Sequence, residues 1–345
     1  MTLLLGCLAW QQVKAEDSDL LNAALSKQGC AEEVPSGYYK LSEVLATPYD
    51  GGALLKLPKK GEGVFNKIVT QAINVKPSTR YVIDWEIMTQ QFLQLLIFAE
   101  YKNPRNGYDP LNVVMSIGSS NHSAFMRLEK EIITPPDATE LKLHIFLSQS
   151  QSTYVTPLKP DTTLGFVRSF KIREIDTVQL APELKDLAGK NILPLGNFES
   201  LEVGEKDRGK LALGPVGLPK PFEAEVVKDE TGRKVLRVKY KPGDHPYVSF
   251  YSPGTMKLYG SSGIMKCRIR GKGKVQLMVF WGRNKFHTIF RHFGFFELTP
   301  EWKEYSVGIG CDDPLTIKVA ACIACRDKEA EFEISDISYT LNNSK

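Results

Sequence analysis

The apolar residues of this chain are grouped in short runs, which are rich in Val, Ile, Phe and Tyr and bounded by clusters of Gly, Pro, Asn and Asp. This pattern is typical of β-strands. Two stretches have a helical pattern instead: residues 17–28, and Pro182 to Ala188, which is followed by Gly189. Because no long amphipathic helices alternate with the strands, the sequence predicts an all-β fold.

The strand pattern occurs twice along the chain, in the same order. Four pairs of segments match: 54–57 with 235–238, 94–98 with 276–280, 133–135 with 298–300, and 170–175 with 332–337. Two facing sheets in each half would bury a core that a single strand pair cannot. We therefore predict tandem jelly-roll β-sandwiches over residues 31–180 and 191–345. A helical segment over 16–30 precedes them, and a linker over 181–190 carries the short helix.

The N-terminus has the pattern of an export signal. Residues 2–10 form a short apolar run, and Val13 and Ala15 fit a small-residue cleavage site. The sequence thus predicts a signal peptide over 1–15 and a secreted, cell-surface or periplasmic protein. Two alternatives stay open: a buried N-terminal segment, and a bacterial lipoprotein box at residues 4–7, in which Cys7 would carry lipid.

Charge and composition narrow the class of partner. The chain has 44 Lys and Arg against 40 Asp and Glu, with a net charge of +4 and no dense basic run, so we expect no nucleic-acid partner. No stretch approaches the roughly 20 apolar residues of a transmembrane helix. Neither observation indicates what the protein binds, and the sequence leaves its oligomeric state open.

The second half carries motifs in a family-like order. It opens with NILPLGNFE (191–199), continues with KVLRV (234–238) and FELTPEWKEY (296–305), and closes with ISDISY (334–339). Over about 191–342 it resembles the family 4/9 carbohydrate-binding modules, which are galactose-binding-like β-sandwiches. The first half resembles them more weakly, through Thr134 to Ala138 and the segment 170–175. The resemblance implies a non-catalytic protein that binds a polysaccharide or another glycan.

The strand 276–281 contains the first candidate binding residues. Alternation separates an apolar face, formed by Leu277, Val279 and Trp281, from a mixed face, formed by Gln276, Met278 and Phe280. An amide beside a ring suits a sugar, whose hydroxyls form hydrogen bonds and whose C–H faces stack on aromatic rings. We therefore predict that Gln276 and Phe280 bind glycan, with Gln94 and Phe98 in the equivalent positions of the first half. The alternative is a solvated outer face.

The segment 281–296 is the most unusual in the chain, with six aromatic residues, two His and three cationic side chains. We predict that it contributes further glycan contacts from Arg283, Phe286, His287 and Arg291, with Arg291 placed to pair with a uronate or sulfate. The alternative is a set of core aromatics with solvated cations. A zinc site is not expected, because His287 and His292 fall on opposite strand faces.

Glu199 and Asp336 are the candidate metal ligands. They stand in the opening and closing segments, where the family resemblance implies a structural Ca²⁺ held by carboxylates. The alternative is that both are solvated surface carboxylates. The sequence also leaves open whether Cys267, Cys311, Cys322 and Cys325 form disulfides or stay as buried thiols.

No motif indicates an active site. A nucleophile elbow is missing, and GKGK (271–274) lacks the phosphate-loop pattern and precedes a strand, as a turn would. We therefore predict no catalytic residues. Two alternatives to glycan binding remain: a structural or adhesion protein that uses the sandwiches for protein contacts, and an accessory part of a glycoside-hydrolase system.

Overall fold

The computed structural model describes most of the chain between residues 46 and 342. The described ranges are 46–49, 52–56, 66–70, 72–89, 93–109, 112–117, 126–149, 164–194, 196–207, 211, 213–214, 222–241, 247–282, 288–325 and 329–342. The predicted signal peptide (1–15), the predicted helical segment (16–30) and Cys7 lie outside them. Within these ranges, no helix has the length and apolar character needed to cross a membrane.

The part of the chain before residue 180 forms two antiparallel sheets. Its strands are β1 (Ala46–Tyr49), β2 (Gly52–Lys56), β3 (Asn66–Val69), β4 (Ile73–Asn74), β5 (Thr79–Thr89), β6 (Leu93–Asn103), β7 (Gly107–Tyr108), β8 (Asn112–Ile117), β9 (Met126–Ile133), β10 (Glu140–Gln149) and β11 (Leu164–Thr177). Sheet 1 has the order β1-β2-β11-β5-β9. Sheet 2 has the order β3-β10-β6-β8, in which β4 also pairs with β10 and β7 with β6.

The part after residue 180 begins with a 3-10 helix over Pro182–Leu187, inside the predicted linker, and then forms two more sheets. Its strands are β12 (Leu213–Gly214), β13 (Glu223–Lys228), β14 (Lys234–Tyr240), β15 (Tyr247–Tyr251), β16 (Ser262–Lys272), β17 (Lys274–Gly282), β18 (Thr288–Glu297), β19 (Lys303–Gly310), β20 (Lys318–Cys325) and β21 (Ala330–Leu341). Sheet 3 has the order β13-β14-β21-β16-β19, and sheet 4 has the order β12-β15-β20-β17-β18.

The two halves share one strand topology. The order β1-β2-β11-β5-β9 of sheet 1 corresponds to β13-β14-β21-β16-β19 of sheet 3, and β3-β10-β6-β8 of sheet 2 corresponds to β15-β20-β17-β18 of sheet 4. The order of these strands along the chain is also the same in both halves. The prediction of an all-β fold is confirmed, and the sheets of the structure are antiparallel.

Each half has its own apolar core between its two sheets. In the first half, the inward side chains of β5, β6 and β10 meet, with Trp85, Ile97 and Leu143 completely buried. In the second half, the core joins sheets 3 and 4 through residues such as Phe332 and Trp281. Period-two alternation produces both cores, since successive side chains of a strand point to opposite faces.

The matched segments of the sequence can be compared with the corresponding strands. Residues 54–56 and 235–238 lie on β2 and β14, 94–98 and 276–280 on β6 and β17, and 170–175 and 332–337 on β11 and β21. These three matches join corresponding strands. The fourth is wrong: Thr134-Pro135 follows β9, whereas Thr299-Pro300 precedes β19, its counterpart. The recurrence of Thr-Pro therefore does not mark the same position in the two halves.

The family-like opening motif docks against the closing strand. Asn191 accepts hydrogen bonds from the backbone N–H groups of Leu193 (3.0 Å) and Tyr339 (2.9 Å). A Cβ on Gly196 would overlap the carbonyl oxygen of Ile337, so only glycine allows this approach. Phe198 is completely buried in the core. These motif residues therefore hold the fold together and do not form a ligand site.

A β-bulge in β21 sets which of its residues face the core. The register of β16 with β21 shifts between Lys266 and Arg268, and Asp336 on the bulge has a φ of 53°. Asp tolerates this left-handed conformation better than most residues. The extra residue changes the phase of alternation, so Ile334 and Ile337 are both buried although they are three positions apart.

Candidate functional site

The predicted glycan-binding strand is β17, in the middle of sheet 4. Its inward face is formed by Leu277, Val279 and Trp281, which are buried in the second core together with residues of sheet 3. The prediction that these three side chains belong to the core is confirmed. The opposite face of β17 points away from sheet 3, and this outer face is where the ligand was expected.

The outer face of β17 is buried as well. Gln276, Met278 and Phe280 have exposed fractions of 1%, 2% and 2%. They lie opposite the small residues Ala324, Cys322 and Ala320 of β20. Met278 and Phe280 form a second apolar cluster with these residues, and Tyr251 packs against it. We call this the outer cluster.

The expectation of an open face at Gln276 and Phe280 is therefore wrong in this structure. Alternation correctly assigns both residues to the outer face, but it carries no information on whether that face is covered. Large aromatic side chains gain about 1.5–3 kcal/mol from burial, which favours covering a row that contains Phe280 and Met278.

Several other predicted residues cannot be compared with the structure. Arg283, Phe286 and His287 lie outside the described residues. Arg291 lies in β18 opposite Val279, and Gln94 lies in β6 opposite Ser148, but only their backbone is described. For these five residues the role in glycan binding stays a prediction.

Phe98, the candidate of the first half, lies in a polar setting. It is half-buried on the outer face of β6 and lies opposite His144 of β10. The next position along β6 on this face is Glu100, whose Oε2 lies 3.3 Å from Nε2 of His144. The His144 and Glu100 side chains are only 5% and 14% exposed, so the pair is mostly withdrawn from water.

The polar row continues along the same face. Lys142 lies opposite Glu100, and its ammonium stands 4.7 Å from the centroid of the Tyr108 ring. Lys102 and Glu140 form an ion pair at 2.5 Å, and the Tyr108 hydroxyl donates to Glu140 at 3.4 Å. The Tyr108 residue is 38% exposed, which leaves part of its ring accessible to solvent.

We call the outer surface formed by Phe98, Glu100, Tyr108, Lys142 and His144 the β6–β10 face. It combines rings with hydrogen-bonding groups of both charges, whereas its counterpart in the second half is an apolar cluster. The sequence holds a signal for it: Lys142 and His144 alternate with the core residues Leu141, Leu143 and Ile145. His144 and Lys142 were not among the predicted site residues.

Asp336, a predicted Ca²⁺ ligand, is bound by arginine. Its two carboxylate oxygens accept hydrogen bonds from Nη2 of Arg233 at 2.8 and 3.0 Å, and Arg268 lies 3.6 Å away. Glu199 is exposed, and its backbone carbonyl accepts a hydrogen bond from Lys234 at 2.9 Å. Guanidinium groups thus supply positive charge at Asp336, and a Ca²⁺ held by Glu199 and Asp336 stays a prediction. Within the described residues, no group of three or more His, Cys, Asp and Glu side chains is arranged for a metal.

The four cysteines of the second half are buried free thiols. Cys267, Cys311, Cys322 and Cys325 form no disulfide with one another. Burial raises the pKa of Cys267 to about 12. The alternative of buried thiols is thus confirmed for these four residues, and the thiol of Cys267 stays protonated at neutral pH.

Solved structures similar to this chain include several carbohydrate-binding modules. The tandem CBM22-1–CBM22-2 domain of Paenibacillus barcinonensis Xyn10C is 12% identical, covers 90% of this chain and 94% of its own, and has a TM-score of 0.32. A CBM4 structure is 13% identical over 44% of this chain and 99% of its own, with a TM-score of 0.32. TmCBM61 in complex with β-1,4-galactotriose is 17% identical over 44% of this chain and 97% of its own, with a TM-score of 0.27.

No protein-family model matches the chain, and no curated protein matches its sequence. The ligand of this protein has to be inferred from its own residues.

Proposed function

We propose that the chain is a non-catalytic carbohydrate-binding protein of two tandem jelly-roll β-sandwiches, and that it holds its glycan on the β6–β10 face. The observation that supports this site is the position of Phe98, a half-buried ring beside the His144–Glu100 pair. A sugar ring needs both an aromatic surface for its C–H face and fixed hydrogen-bonding groups for its hydroxyls.

The charges of the β6–β10 face favour a glycan without strong net charge. Glu100 and Glu140 are matched by Lys102 and Lys142 on the same face. Carboxylates accept hydrogen bonds from hydroxyls and ammonium groups donate to them, so the face offers both kinds of contact. A polyanionic chain would meet Glu100 and Glu140 unfavourably.

The proposal of a non-catalytic role is supported by how these carboxylates are paired. A glycosidase needs one carboxylic acid that keeps its proton near neutral pH. Glu140 pairs with Lys102, and Glu100 contacts His144, so both carboxylates of this face are already engaged by neighbouring side chains. Neither residue is placed to act as that acid.

The experiment is a binding survey with the full chain. Xylan, cellulose, mixed-linkage β-glucan, galactan and mannan would be tested by affinity electrophoresis, and soluble oligosaccharides from any positive by calorimetry. We expect Phe98→Ala to weaken binding at least tenfold, because it removes the stacking ring. The matched control is Val203→Ala, which removes a side chain from a residue that is 53% exposed and lies outside this face.

Two results would contradict the proposal. If the folded protein binds none of the polysaccharides tested, the proposal of glycan binding is wrong. Binding that survives both Phe98→Ala and Lys142→Ala would move the site away from the β6–β10 face. The location outside the cell is part of the same proposal, and N-terminal sequencing of protein from an expressing bacterium would test cleavage after Ala15.

A structural role is the second candidate, and the outer cluster favours it for the second half. Gln276 and Phe280 are buried in this structure, and Tyr251, the other ring of the outer cluster, is half-buried against it. A blank glycan survey together with retention of one specific protein partner would favour this candidate.

A further inference from the structure

The two halves meet through corresponding strands. β9 and β19 are the edge strands of sheets 1 and 3, and they contact each other. β8 and β18 are the corresponding edge strands of sheets 2 and 4, and they also contact each other. Sheets 1 and 3 therefore adjoin in one layer of the molecule, and sheets 2 and 4 adjoin in the other. We call this region the junction.

The symmetry that relates the two halves follows from the contact between corresponding edge strands. A translation would bring opposite edges together, for example β8 against β15. Corresponding edges meet in both layers only when a local twofold axis runs perpendicular to the sheets. An interface of this kind is isologous, as in a symmetric dimer, where the same patch is used on both sides.

Two serines at the starts of corresponding strands meet in the junction. Ser78 directly precedes β5, and Ser262 begins β16, the strand that corresponds to β5. Their hydroxyl oxygens are 2.8 Å apart and buried, and Asn342 donates a hydrogen bond to Ser78 at 2.5 Å. Contact between the starts of two corresponding strands is expected in a twofold interface close to its axis.

Glycines in β19 allow the edges to come close. A Cβ on Gly310 would overlap the carbonyl oxygen of Ile133 in β9, and a Cβ on Gly308 would lie 2.6 Å from Cβ of Pro135. Glycine inside a strand weakens it and is found where another backbone approaches closely. In β19 the approaching backbone belongs to the other half of the chain.

A buried polar group anchors one side of the junction. The Asp109 carboxylate, which is 2% exposed, accepts hydrogen bonds from Arg105 at 3.0 Å and from the Gly308 N–H at 3.1 Å. Arg105 also donates to the Ser306 hydroxyl at 2.9 Å, and Asn106 donates to the Ser306 carbonyl at 2.7 Å. The first half thus binds β19 through its backbone as well as its side chains.

Further polar contacts cross the junction beside β9. Lys130 forms an ion pair with Asp312 at 3.1 Å, and the Tyr259 hydroxyl donates to Glu131 at 2.7 Å. The guanidinium of Arg80 stands 5.5 Å from the centroid of the Tyr259 ring. The Lys130 and Asp312 side chains are 22% and 6% exposed, so this ion pair is less screened than a surface pair.

From these contacts we infer that the junction is a self-sufficient protein–protein interface, through which the first half recognises the second as one subunit of a dimer recognises its partner. The linker then only connects two halves that would stay associated without it. This inference does not depend on what the protein binds. It sets this chain apart from domains that move independently on a tether.

The test is to cut the linker in the folded full chain. A protease recognition sequence would be inserted between Lys185 and Asp186, which are both exposed in the 3-10 helix, and the cut protein would be analysed by gel filtration with light scattering. We expect one species with the mass of the whole chain at 1 µM, which corresponds to a dissociation constant well below about 1 µM. Two species of half that mass would overturn the inference.

Two glycine variants show whether edge packing holds the halves together. In Gly310→Ala the new Cβ meets Ile133 of the other half, whereas in Gly282→Ala it meets only Lys318 of the same half, at 3.4 Å. After cleavage we expect the Gly310→Ala halves to separate and the Gly282→Ala halves to stay together. A cut Gly310→Ala protein that stays associated like the unsubstituted one would contradict the inference.

A charge reversal gives a second test if Gly310→Ala fails to fold. Lys130→Glu should raise the dissociation constant of the cut halves at least tenfold, because it sets two carboxylates against each other. Adding Asp312→Lys should restore association. If the single reversal has no effect, the Lys130–Asp312 contact does not hold the halves together and the proposed interface is wrong.

Discussion

Replacing Phe280 distinguishes the buried outer cluster of the structure from the open glycan-binding face that the sequence predicts. Phe280 is 2% exposed and packs with Met278, Ala320, Cys322 and Ala324 on the face of sheet 4 that points away from sheet 3. Phe280→Ala removes the whole buried ring and leaves the inward face of β17 unchanged. If the face is closed as described, the change acts on stability and not on a ligand.

The size of the effect follows from the burial. Replacing a buried Phe by Ala usually costs about 3–5 kcal/mol, since both the transfer of the ring from water and the filling of its space are lost. For a chain of this size, each kcal/mol shifts the melting temperature by roughly 2–4 °C. We therefore expect Phe280→Ala to melt about 6–20 °C below the unsubstituted protein, with the same affinity for any glycan that binds.

Phe98→Ala is the matched comparison, because Phe98 has the same position in the first half and is only half-buried. We expect it to cost roughly half as much stability and to weaken glycan binding. Differential scanning calorimetry gives the change in stability of each variant, and titration calorimetry gives the change in its glycan affinity. A Phe280→Ala protein that loses glycan binding with less than about 1 kcal/mol of destabilisation would refute a closed face and restore the site expected from the sequence.

Three further measurements test other residues. Because Arg233 already neutralises Asp336, EDTA should leave the melting temperature unchanged, and a lowered value would restore the expected Ca²⁺ site. The Cys267 thiol, with a pKa raised to about 12 by burial, should react with a thiol reagent only after unfolding. Burial also raises the pKa of Asp109, so the folded state keeps a proton longer than the unfolded one. Stability should then fall as pH rises from about 4 through that raised pKa, and Asp109→Asn should flatten this slope in denaturant titrations.

The strands and the inward faces could be predicted from the sequence because they depend on local pattern. Leu277, Val279 and Trp281 alternate with Gln276, Met278 and Phe280, and the structure buries the apolar set in the core. Whether the other set is open depends on residues far away in the sequence. Alternation carries no information about them, and this is why the burial of Gln276 and Phe280 could not be predicted.

The junction was not predicted, although β19 contains a signal for it. Gly308 and Gly310 stand two positions apart, on the same face of a strand, where they bury no side chain of their own. The spacing indicates close approach of another segment. It cannot show that this segment is β9, since that pairing depends on the relative orientation of two halves that fold around separate cores.

The local twofold axis has a consequence for any ligand that has a direction. The outer faces of sheets 2 and 4 look to the same side of the molecule, but a half turn about the axis reverses the sense in which their strands run. A polysaccharide has a reducing and a non-reducing end, so one chain lying across both faces would meet the second in reverse. The duplicated fold therefore does not provide two equivalent binding faces for one polysaccharide chain. The two outer faces also differ in chemistry, since the surroundings of His144 are polar and those of Phe280 are apolar.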